Sequence, residues 1–422
     1  MNPGSETYCV NPSRLCGQVQ VSGAKNSAVH LLSTSLLTSE PVHLTHYPDT
    51  LLDCRVQVEM LEILGKRCEV KPGQILLTEN RPPARRLEYS GRSVRNTLLI
   101  LGALTARTGA GAVPLPGGCK LGDRKFDLHL QVLQDLGARV WEEQDLLCAE
   151  AAGGLRGAEI HLPFRSTGAT ENAILCASLA RGDTRIWNPH IRPEILDMIA
   201  MLRQMGADIR VQGQESILVR GSERLGGVQH RVIPDNVEAL TWLIGAVITG
   251  GDVEILGFPH EHLEVPLIYL RESGAQFYTC GDRLIVRGGR PYPVDISTGP
   301  YPGINSDMQP LFAVYGACAA GQTRIVDLRF PGRYGYAEEL GKMGLDYTVV
   351  GDLLQIQGGR RLKGAAVTAP DLRAGIALVL AGFTAEGTTS VADAWQIERG
   401  YDRFVDKIHA LGGQISKSPA AK

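Results

Sequence analysis

A segment rich in glycine and proline carries the side chain with the greatest nucleophilic potential in the chain. The run from Leu115 to Arg124 reads LPGGCKLGDR, and its glycines and proline predict a loop rather than a helix or a strand. Cys119 lies there beside Lys120 and near Arg124. Neighbouring cations lower the pKa of a thiol and favour the reactive thiolate. The segment is either a mobile loop that presents an acid or nucleophile, or a surface turn with an incidental cysteine.

Two further charged residues stand at predicted helix starts. Lys25 lies in the run SGAKNSA, after a predicted strand over residues 18–21. A cation in the first turn opposes the helix dipole, and an anion bound at the helix N-terminus would explain it. Asp307 precedes an apolar run over residues 311–318. Lys25 is therefore an anion ligand or a solvated surface lysine, and Asp307 is a general base or a helix cap.

Single arginines occur close to residues that favour turns or helix caps. They are Arg95, Arg333, Arg373 and Arg399. The guanidinium group is the preferred bidentate partner of carboxylate and phosphate. Each of these arginines is a ligand for such a group or a member of a surface ion pair. Taken with Lys25 and Arg124, they suit a small, highly charged substrate that carries both groups.

The elements that must position these residues follow a sixfold repeat. A glycine recurs between a helix-like apolar pattern and an alternating, strand-like stretch. These glycines are Gly65, Gly137, Gly206, Gly274, Gly344 and Gly412, at spacings of 72, 69, 68, 70 and 68 residues. Glycine accepts the left-handed conformation of a helix C-cap at little cost. A second set, which closes a helix and opens a strand, comprises Gly182, Gly251, Gly321 and Gly387. Each unit reads strand, helix, strand, helix, strand, with additional strands, and the six units divide into two sets of three.

Composition and charge limit the classes of partner. A chain of 422 residues predicts two domains of about 200 residues each. The net charge of −2 gives no electrostatic reason to expect nucleic acid or a membrane as a partner. Residues 1–8 lack the features of a signal peptide, and no apolar run reaches the roughly 20 residues that span a bilayer, which predicts a cytoplasmic protein. The cysteines and histidines show no ligand spacing, so neither a metal site nor a cofactor is predicted.

Six short sequence motifs occur in an order that is typical of one family. They are SGAKN (22–26), LPGGC (115–119) with DLH (127–129), SDMQ (306–309), DLRA (371–374) and RGY (399–401). Taken together, and almost end to end, the chain resembles the UDP-N-acetylglucosamine enolpyruvyl transferases, which catalyse the first committed step of peptidoglycan synthesis. The related transferases of the shikimate pathway share the fold, but the GAKN and GGC motifs argue against their acceptor.

The resemblance implies an α/β fold of two inside-out, barrel-like domains, each of three repeated units, with the active site in the interdomain cleft. One enolpyruvyl transferase domain is expected over residues 24–233 and includes the cysteine loop. The second is expected over residues 1–23 and 234–422. The chain would cross between them near Gly23 and near Ile233-Pro234.

The chemistry implied is an addition–elimination on phosphoenolpyruvate. The acceptor hydroxyl attacks C2 while C3 is protonated, and the tetrahedral ketal then loses phosphate. The resemblance assigns catalytic roles to Cys119, Asp307, Lys25 and Arg399. It assigns substrate binding to Asn26, Arg95, Arg124, Asp127, His129, Ser166, Arg333, Asp371 and Arg373. In this scheme Asp307 is the base, and Cys119 acts as general acid or assists product release and is the residue that fosfomycin alkylates.

The same scheme separates the two anionic groups of the donor. Lys25, Arg124 and Arg399 match the cations around the phosphate, whereas Arg333 and Arg373 match those around the carboxylate. Fixed cations stabilise the charge that develops as phosphate departs, because they need no reorganisation at that moment.

On the acceptor side the chain departs from the family pattern. It has Lys125-Phe126 where Pro-Val is usual, and the loop over residues 330–334 reads FPGRY instead of FENRF. Residues 191–194 read IRPE instead of REPE, and Asn96 replaces an expected alanine. The donor side is intact while the acceptor side is altered.

Three interpretations of this asymmetry remain open. The first is a divergent cell-wall enzyme whose acceptor is UDP-N-acetylglucosamine. The second is a paralogue that enolpyruvylates the 3′-hydroxyl of uridine monophosphate in nucleoside-antibiotic assembly. The third is a regulatory paralogue that binds such nucleotides without turnover, although the chain keeps Lys25, Cys119, Asp307, Arg373 and Arg399. Phosphoenolpyruvate and a uridine nucleotide are the expected small-molecule partners of the two enzymes.

Overall fold

The computed structural model describes residues 6–92, 95–116 and 126–419, which form 23 strands and 13 α-helices. The strands are β1 (Glu6–Asn11), β2 (Cys16–Gln20), β3 (Val42–Thr45), β4 (Lys66–Lys71), β5 (Gln74–Glu79), β6 (Ala110–Pro114), β7 (Arg139–Glu143), β8 (Leu146–Glu150), β9 (Glu159–His161), β10 (Asp183–Trp187), β11 (Asp208–Gln212), β12 (Ser216–Arg220), β13 (Val228–Arg231), β14 (Asp252–Leu256), β15 (Ala275–Cys280), β16 (Arg283–Gly289), β17 (Asp295–Ser297), β18 (Gly321–Val326), β19 (Asp346–Val350), β20 (Leu353–Gly358), β21 (Ala366–Thr368), β22 (Thr389–Ala392) and β23 (Gln414–Pro419). The helices are α1 (Lys25–Thr34), α2 (Leu52–Leu64), α3 (Thr97–Thr108), α4 (Asp127–Asp135), α5 (Thr167–Ala177), α6 (Pro193–Gln204), α7 (Asn236–Ile248), α8 (Glu264–Glu272), α9 (Gln309–Cys318), α10 (Gly335–Lys342), α11 (Leu372–Thr384), α12 (Trp395–Glu398) and α13 (Phe404–Ala410).

The chain divides into two compact units. The split unit comprises Met1–Ser22 and Pro234–Lys422, and the continuous unit comprises Gly23–Ile233. The division expected from the sequence differs from this one only in placing Gly23 with the split unit. A Cβ atom on Gly23 would lie 1.9 Å from the carbonyl oxygen of His46, so only glycine fits at this crossing.

Each unit is built from three copies of a β-α-β-α-β-β repeat, as β17, α9, β18, α10, β19 and β20 illustrate, although in the copy that contains α3 the first strand is reduced to a bridge between Arg86 and Ala112. The first two strands of this copy run parallel and flank a helix, whereas the last two form an antiparallel hairpin on the second strand. The sheets of the split unit have the orders β21-β22-β1-β23, β15-β16-β14-β2 and β17-β18-β20-β19. Those of the continuous unit have the orders β13-β3-β5-β4, β11-β12-β10-β9 and β6-β8-β7. The predicted two sets of three α/β repeats are therefore confirmed.

The six glycines that define the repeat end the outer helix of each copy. Gly65, Gly137, Gly206, Gly274, Gly344 and Gly412 have φ angles of 114°, 89°, 101°, 94°, 89° and 76°. These are left-handed conformations that L side chains rarely adopt, so the pattern reports a real backbone requirement. The second set of glycines lies between a helix and a strand, or at the first residue of the strand, in each case, as predicted. At its second member the left-handed residue is Gly250, with φ of 62°, directly before Gly251.

The two helices of each repeat differ in burial. The inner helices α7, α9 and α11 of the split unit contact one another and are buried over almost their whole length. Helices that are apolar all round belong in the interior, which is why the sheets lie outside them. The outer helices α8, α10 and α13 bury only part of their residues. The inner helix starts carry most of the predicted site residues.

None of the helices formed by the described residues is long and apolar enough to cross a membrane. Within the same residues, no group of three or more His, Cys, Asp and Glu side chains is arranged to hold a metal ion.

Candidate active site

Asp307 of the split unit lies in the turn that leads into α9. Its backbone N–H donates to Asn305 Oδ1 at 3.0 Å. The N-cap of α9 is Met308, whose side chain makes no capping hydrogen bond. The Asp307 carboxylate accepts from two guanidinium groups, Arg333 Nη1 at 2.9 Å and Arg373 Nε at 3.3 Å. The structure thus brings together three residues that the sequence assigned to the site.

The two arginines come from different helix starts. Arg373 is the second residue of α11, and Asp371 caps this helix by accepting from the N–H groups of Arg373 at 2.7 Å and Ala374 at 2.9 Å. Arg333 precedes α10 and also lies 3.5 Å from the other carboxylate oxygen of Asp371. The side chains of Arg333 and Arg373 are only 9% and 3% exposed. Burial alone would lower the pKa of each guanidinium, but the neighbouring anionic groups, with Asp307 the strongest of them, together outweigh burial, and both pKa values are raised.

Each of these arginines keeps an unused donor. Arg333 Nε and Arg373 Nη1 are buried and have no hydrogen-bond acceptor among the residues that the structure describes. Buried N–H groups in native proteins normally have a partner. A bound carboxylate, which accepts from guanidinium groups in two directions, would supply one.

A buried carboxylate that the sequence analysis missed underlies this group. Asp327 is fully buried, and its Oδ1 accepts from Thr298 Oγ1 at 2.8 Å and from the N–H of Arg329 at 2.9 Å. Its Oδ2 accepts from Ser306 Oγ at 2.5 Å, and that hydroxyl accepts from Arg333 Nη1 at 3.3 Å. Asp327 therefore links the turn that bears Asp307 to the loop that bears Arg333. An acid directly after the apolar pair Ile325-Val326 at the end of a strand was the available signal.

The RGY motif contributes to the same group of the split unit. Tyr401 is buried, its hydroxyl lies 2.8 Å from Thr241 Oγ1, and its ring centre lies 5.8 Å from the guanidinium carbon of Arg373. Burial raises the pKa of Tyr401 to about 12, although Arg373 opposes the shift. Arg399 is half-buried and donates from Nη1 to Gln396 Oε1 at 3.1 Å.

In the continuous unit, Lys25 is the first residue of α1. This helix has no side-chain cap and no acid in its first turn. Lys25 Nζ lies 3.0 Å from Asp53 Oδ2, and the two side chains are 14% and 6% exposed. The interpretation of Lys25 as a solvated surface lysine is therefore wrong. Asp53 was missed, although an acid between the apolar residues Leu52 and Cys54 is an unusual choice that could have marked it.

Arg95 and His129 lie close together in the continuous unit. His129 is 6% exposed, and burial, with a smaller contribution from Arg95, lowers its pKa from 6.5 to about 3. A Cβ atom on Gly168 would lie 2.7 Å from His129 Nε2, so the first turn of α5 approaches the imidazole closely. Ser166 caps this helix, with its hydroxyl accepting from Ala169 N–H at 3.5 Å. His129 is thus a neutral imidazole beside a guanidinium and a helix N-terminus.

For two further predicted residues, the structure gives a position and a degree of burial. Asn26 is the second residue of α1 and is half-buried, and Asp127 is the exposed first residue of α4. Cys119 and Arg124 lie outside the described residues.

Two of the departures on the acceptor side have defined partners. Asn96 donates to Gln57 Oε1 at 2.9 Å, and the buried Gln57 donates in turn to Val29 O at 2.8 Å. Arg192 forms a bidentate pair with Glu194, with both distances 2.7 Å. Burial favours protonation of Glu194, but Arg192 outweighs it and the pKa is lowered. Asn96, the residue after Arg95, is therefore hydrogen-bonded to Gln57 of α2 and, through Gln57, to the backbone of α1.

Comparison with known proteins identifies the family. The model of EPSP synthase (3-phosphoshikimate 1-carboxyvinyltransferase) matches residues 10–408. The chain is 41% identical over 413 residues to UDP-N-acetylglucosamine 1-carboxyvinyltransferase 1 of Carboxydothermus hydrogenoformans, covering 97% of each. It is 39% identical over 415 residues to the UDP-N-acetylglucosamine 1-carboxyvinyltransferase of Caulobacter sp., covering 96% of this chain and 95% of the relative.

Solved structures give the same fold. The enolpyruvyl transferase NikO from Streptomyces tendae superposes with a TM-score of 0.88 at 25% identity, covering 99% of this chain and 100% of that one. An EPSP synthase from Acinetobacter baumannii superposes with a TM-score of 0.75 at 20% identity, covering 98% and 100%. The chain belongs to the EPSP synthase family of enolpyruvyl transferases and, within it, to the family of the UDP-N-acetylglucosamine 1-carboxyvinyltransferases.

Proposed function

We propose that the chain transfers the enolpyruvyl group of phosphoenolpyruvate to the 3-hydroxyl of UDP-N-acetylglucosamine and releases phosphate. The observation that carries the proposal is the buried group of Asp307, Arg333, Asp371 and Arg373, in a chain that is 41% identical to a transferase of that name. In this group the Asp307 carboxylate lies beside two guanidinium groups, each of which has a donor without an acceptor among the described residues.

The donor carboxylate binds Arg333 and Arg373, whose planar donor arrays match a carboxylate. Asp307 accepts the proton of the acceptor hydroxyl as its oxygen bonds to C2 of the donor, while C3 takes up a proton. The C2–O bond to phosphate then breaks and the phosphate leaves with the bonding electrons, while C3 returns a proton to the group that supplied it and the C2–C3 double bond re-forms. Lys25, Arg399 and Arg124 stabilise the charge that develops on this phosphate. Cys119 acts as the general acid or assists product release.

The nucleotide acceptor is proposed to use the residues of the continuous unit. Arg95 and the start of α5 at Ser166 provide a cation and helix N–H groups, which suit phosphate oxygens. Asn26, Asp127 and the neutral His129 provide polar groups for the sugar and the base.

A second candidate acceptor is the 3′-hydroxyl of uridine monophosphate. Asn96 and Arg192 replace residues expected on the acceptor side, and both form defined hydrogen bonds, Asn96 with Gln57 and Arg192 with Glu194. NikO is also a close structural neighbour, with a TM-score of 0.88. The higher identity to the sugar-nucleotide transferases favours the first candidate.

Phosphate release from phosphoenolpyruvate by the purified protein tests the proposal. UDP-N-acetylglucosamine and uridine monophosphate are offered in parallel, with a reaction that lacks any acceptor as the control. We expect release with the sugar nucleotide. Release with the monophosphate alone would transfer the proposal to the second candidate, and release with neither would count against both acceptors and favour the regulatory alternative.

A further inference from the structure

Asp307 is held by the same two side chains that are proposed to bind the donor carboxylate. Its Oδ1 lies 2.9 Å from Arg333 Nη1, and its Oδ2 lies 3.3 Å from Arg373 Nε. Both guanidinium groups are almost fully buried, whereas the Asp307 side chain is 27% exposed. Two cations in a poorly solvated site strongly favour the ionised carboxylate. Asp307 in this arrangement is therefore a weak base.

The charges around the arginines are already compensated. Arg333 faces Asp307, Asp371 and Asp327, and Arg373 faces Asp307 and Asp235 together with the Tyr401 hydroxyl. The positive charges of the two arginines are therefore already balanced by the negative charges of the neighbouring carboxylates. A further carboxylate on the same arginines adds negative charge beside Asp307, where the two anions repel each other.

The unused donors show where the second carboxylate would bind. Arg333 Nε and Arg373 Nη1 are on the same guanidinium groups that hold Asp307 and have no acceptor within the described ranges. A ligand carboxylate at these atoms either shares the guanidinium groups with Asp307 or displaces it. In both cases the attraction that each anion receives from the arginines decreases.

We propose that Asp307 and the donor carboxylate compete for Arg333 and Arg373, so that donor binding weakens the hold on Asp307 and converts it into a stronger base. This inference deepens the proposed function and rests on its assignment of the two arginines. Because coupling between two binding events is reciprocal, removing the charge of Asp307 must strengthen donor binding to the same extent.

The competition also gives the reaction an order of events. Before the donor binds, Asp307 is neutralised by the arginines and attracts the acceptor proton poorly. Once the donor is bound, the carboxylate gains proton affinity next to the bond that has to form. Deprotonation of the acceptor is thereby restricted to the complex that contains both substrates.

The test is the dissociation constant of phosphoenolpyruvate, measured by isothermal titration calorimetry on the intact protein. The variants are Asp307→Asn, which keeps the shape and removes the charge, and Arg333→Lys, which removes the planar donor array. Asp295→Asn is the matched control, because Asp295 pairs with Arg324 at 2.7 Å on the surface of the same unit. We expect Asp307→Asn to bind the donor roughly 5- to 10-fold more tightly, at the low end of typical couplings.

The two variants, Arg333→Lys and Asp307→Asn, distinguish a failure of this inference from a failure of the proposed function. We expect Arg333→Lys to weaken donor binding roughly tenfold, because an ammonium group cannot replace a bidentate guanidinium. If it does so while Asp307→Asn binds the donor equally well or less tightly than the wild type, the competition is wrong and the arginine assignment stands. If Arg333→Lys has no effect, both the arginine assignment and the competition are wrong.

Discussion

The inner helices of the two units begin with opposite charges, although both units are built from the same repeat. In the split unit, Asp235 caps α7 and Asp371 caps α11, while Asp307 lies two residues before the start of α9. In the continuous unit, α1 begins at Lys25 and α3 begins two residues after Arg95, and neither has an acid in its first turn. The carboxylates of the split unit compensate the positive helix ends, whereas the starts of α1 and α3 carry no acid of their own and each has a cation beside it.

This difference shows how one backbone can serve two kinds of chemistry. A positive helix end with a nearby cation attracts phosphate, and a helix end with a carboxylate can hold an arginine and present a base. The repeat supplies equivalent positions, and the side chains at those positions decide what each unit does. The comparison therefore predicts distinct effects for substitutions in the two units.

The largest effect is expected when Arg373, a buried arginine of the split unit, is replaced. Arg373→Lys should lower kcat/KM for phosphoenolpyruvate roughly 10²- to 10³-fold, because one ammonium cannot serve both Asp307 and a ligand carboxylate. Steady-state phosphate release measures it. Arg324→Lys is the control in the same unit, since Arg324 forms an exposed pair with Asp295. Equal losses in the two variants would show that the buried arginine has no special role.

A smaller effect is expected from the lysine of the continuous unit. Lys25→Ala should raise KM for phosphoenolpyruvate roughly 10- to 100-fold, because a hydrogen bond to a charged group contributes about 1.5–3 kcal/mol. Saturation curves for the donor measure this change. Lys342→Ala, which removes an exposed lysine bonded to Glu339 at 2.8 Å, is the control. An unchanged donor KM would remove Lys25 from the phosphate site.

The buried carboxylate of the split unit should act through its neighbours. Asp327→Asn should lower kcat about tenfold, equivalent to about 1.4 kcal/mol, because Ser306 and Arg333 lose their common anchor. Thr298→Val is the control, since it removes one donor to Asp327 and leaves Ser306 in place. Thermal denaturation of both variants separates the two effects. A loss of kcat that merely follows the loss of stability in both variants would assign Asp327 a structural role only.

The last effect concerns stability rather than turnover and belongs to the continuous unit. The pKa of His129 falls from 6.5 to about 3 in the folded chain, so the unfolded chain binds a proton that the folded chain does not. Stability from the neutral imidazole is complete above pH 6.5 and is lost as the pH falls towards 3. Below pH 6.5, the free energy of unfolding of the wild type should fall by about 1.4 kcal/mol per pH unit more than that of His129→Gln. Urea denaturation between pH 7.5 and 5 tests this, and parallel slopes would contradict it.

Much of the fold could be predicted because glycine reports a local requirement. The six left-handed glycines repeat at nearly equal spacing, and each requires only the geometry of its own helix end. The position of Asp307, Arg333 and Arg373 in one group could be expected only through the family resemblance. Their spacing in the chain contains no information about their distance in space.

The partners of the site residues could not be predicted for the same reason. Asp53 meets Lys25 across two helices, and Asp327 becomes central only because the fold buries it between three segments. Pairings of this kind depend on packing between distant parts of the chain, which neither periodicity nor local propensity encodes.

The membership of residues 6–20 in the split unit has a consequence for how the chain is made. β1 pairs with β22 and β23, and β2 pairs with β14, so the strands synthesised first find their partners among residues synthesised much later. The continuous unit is complete by Ile233, whereas two sheets of the split unit must wait for the C-terminal half of the chain. Domains fold as they emerge, and closure over several hundred residues comes late. Strands β1 and β2 are therefore expected to reach their final positions only after the much later strands β14, β22 and β23 have been synthesised.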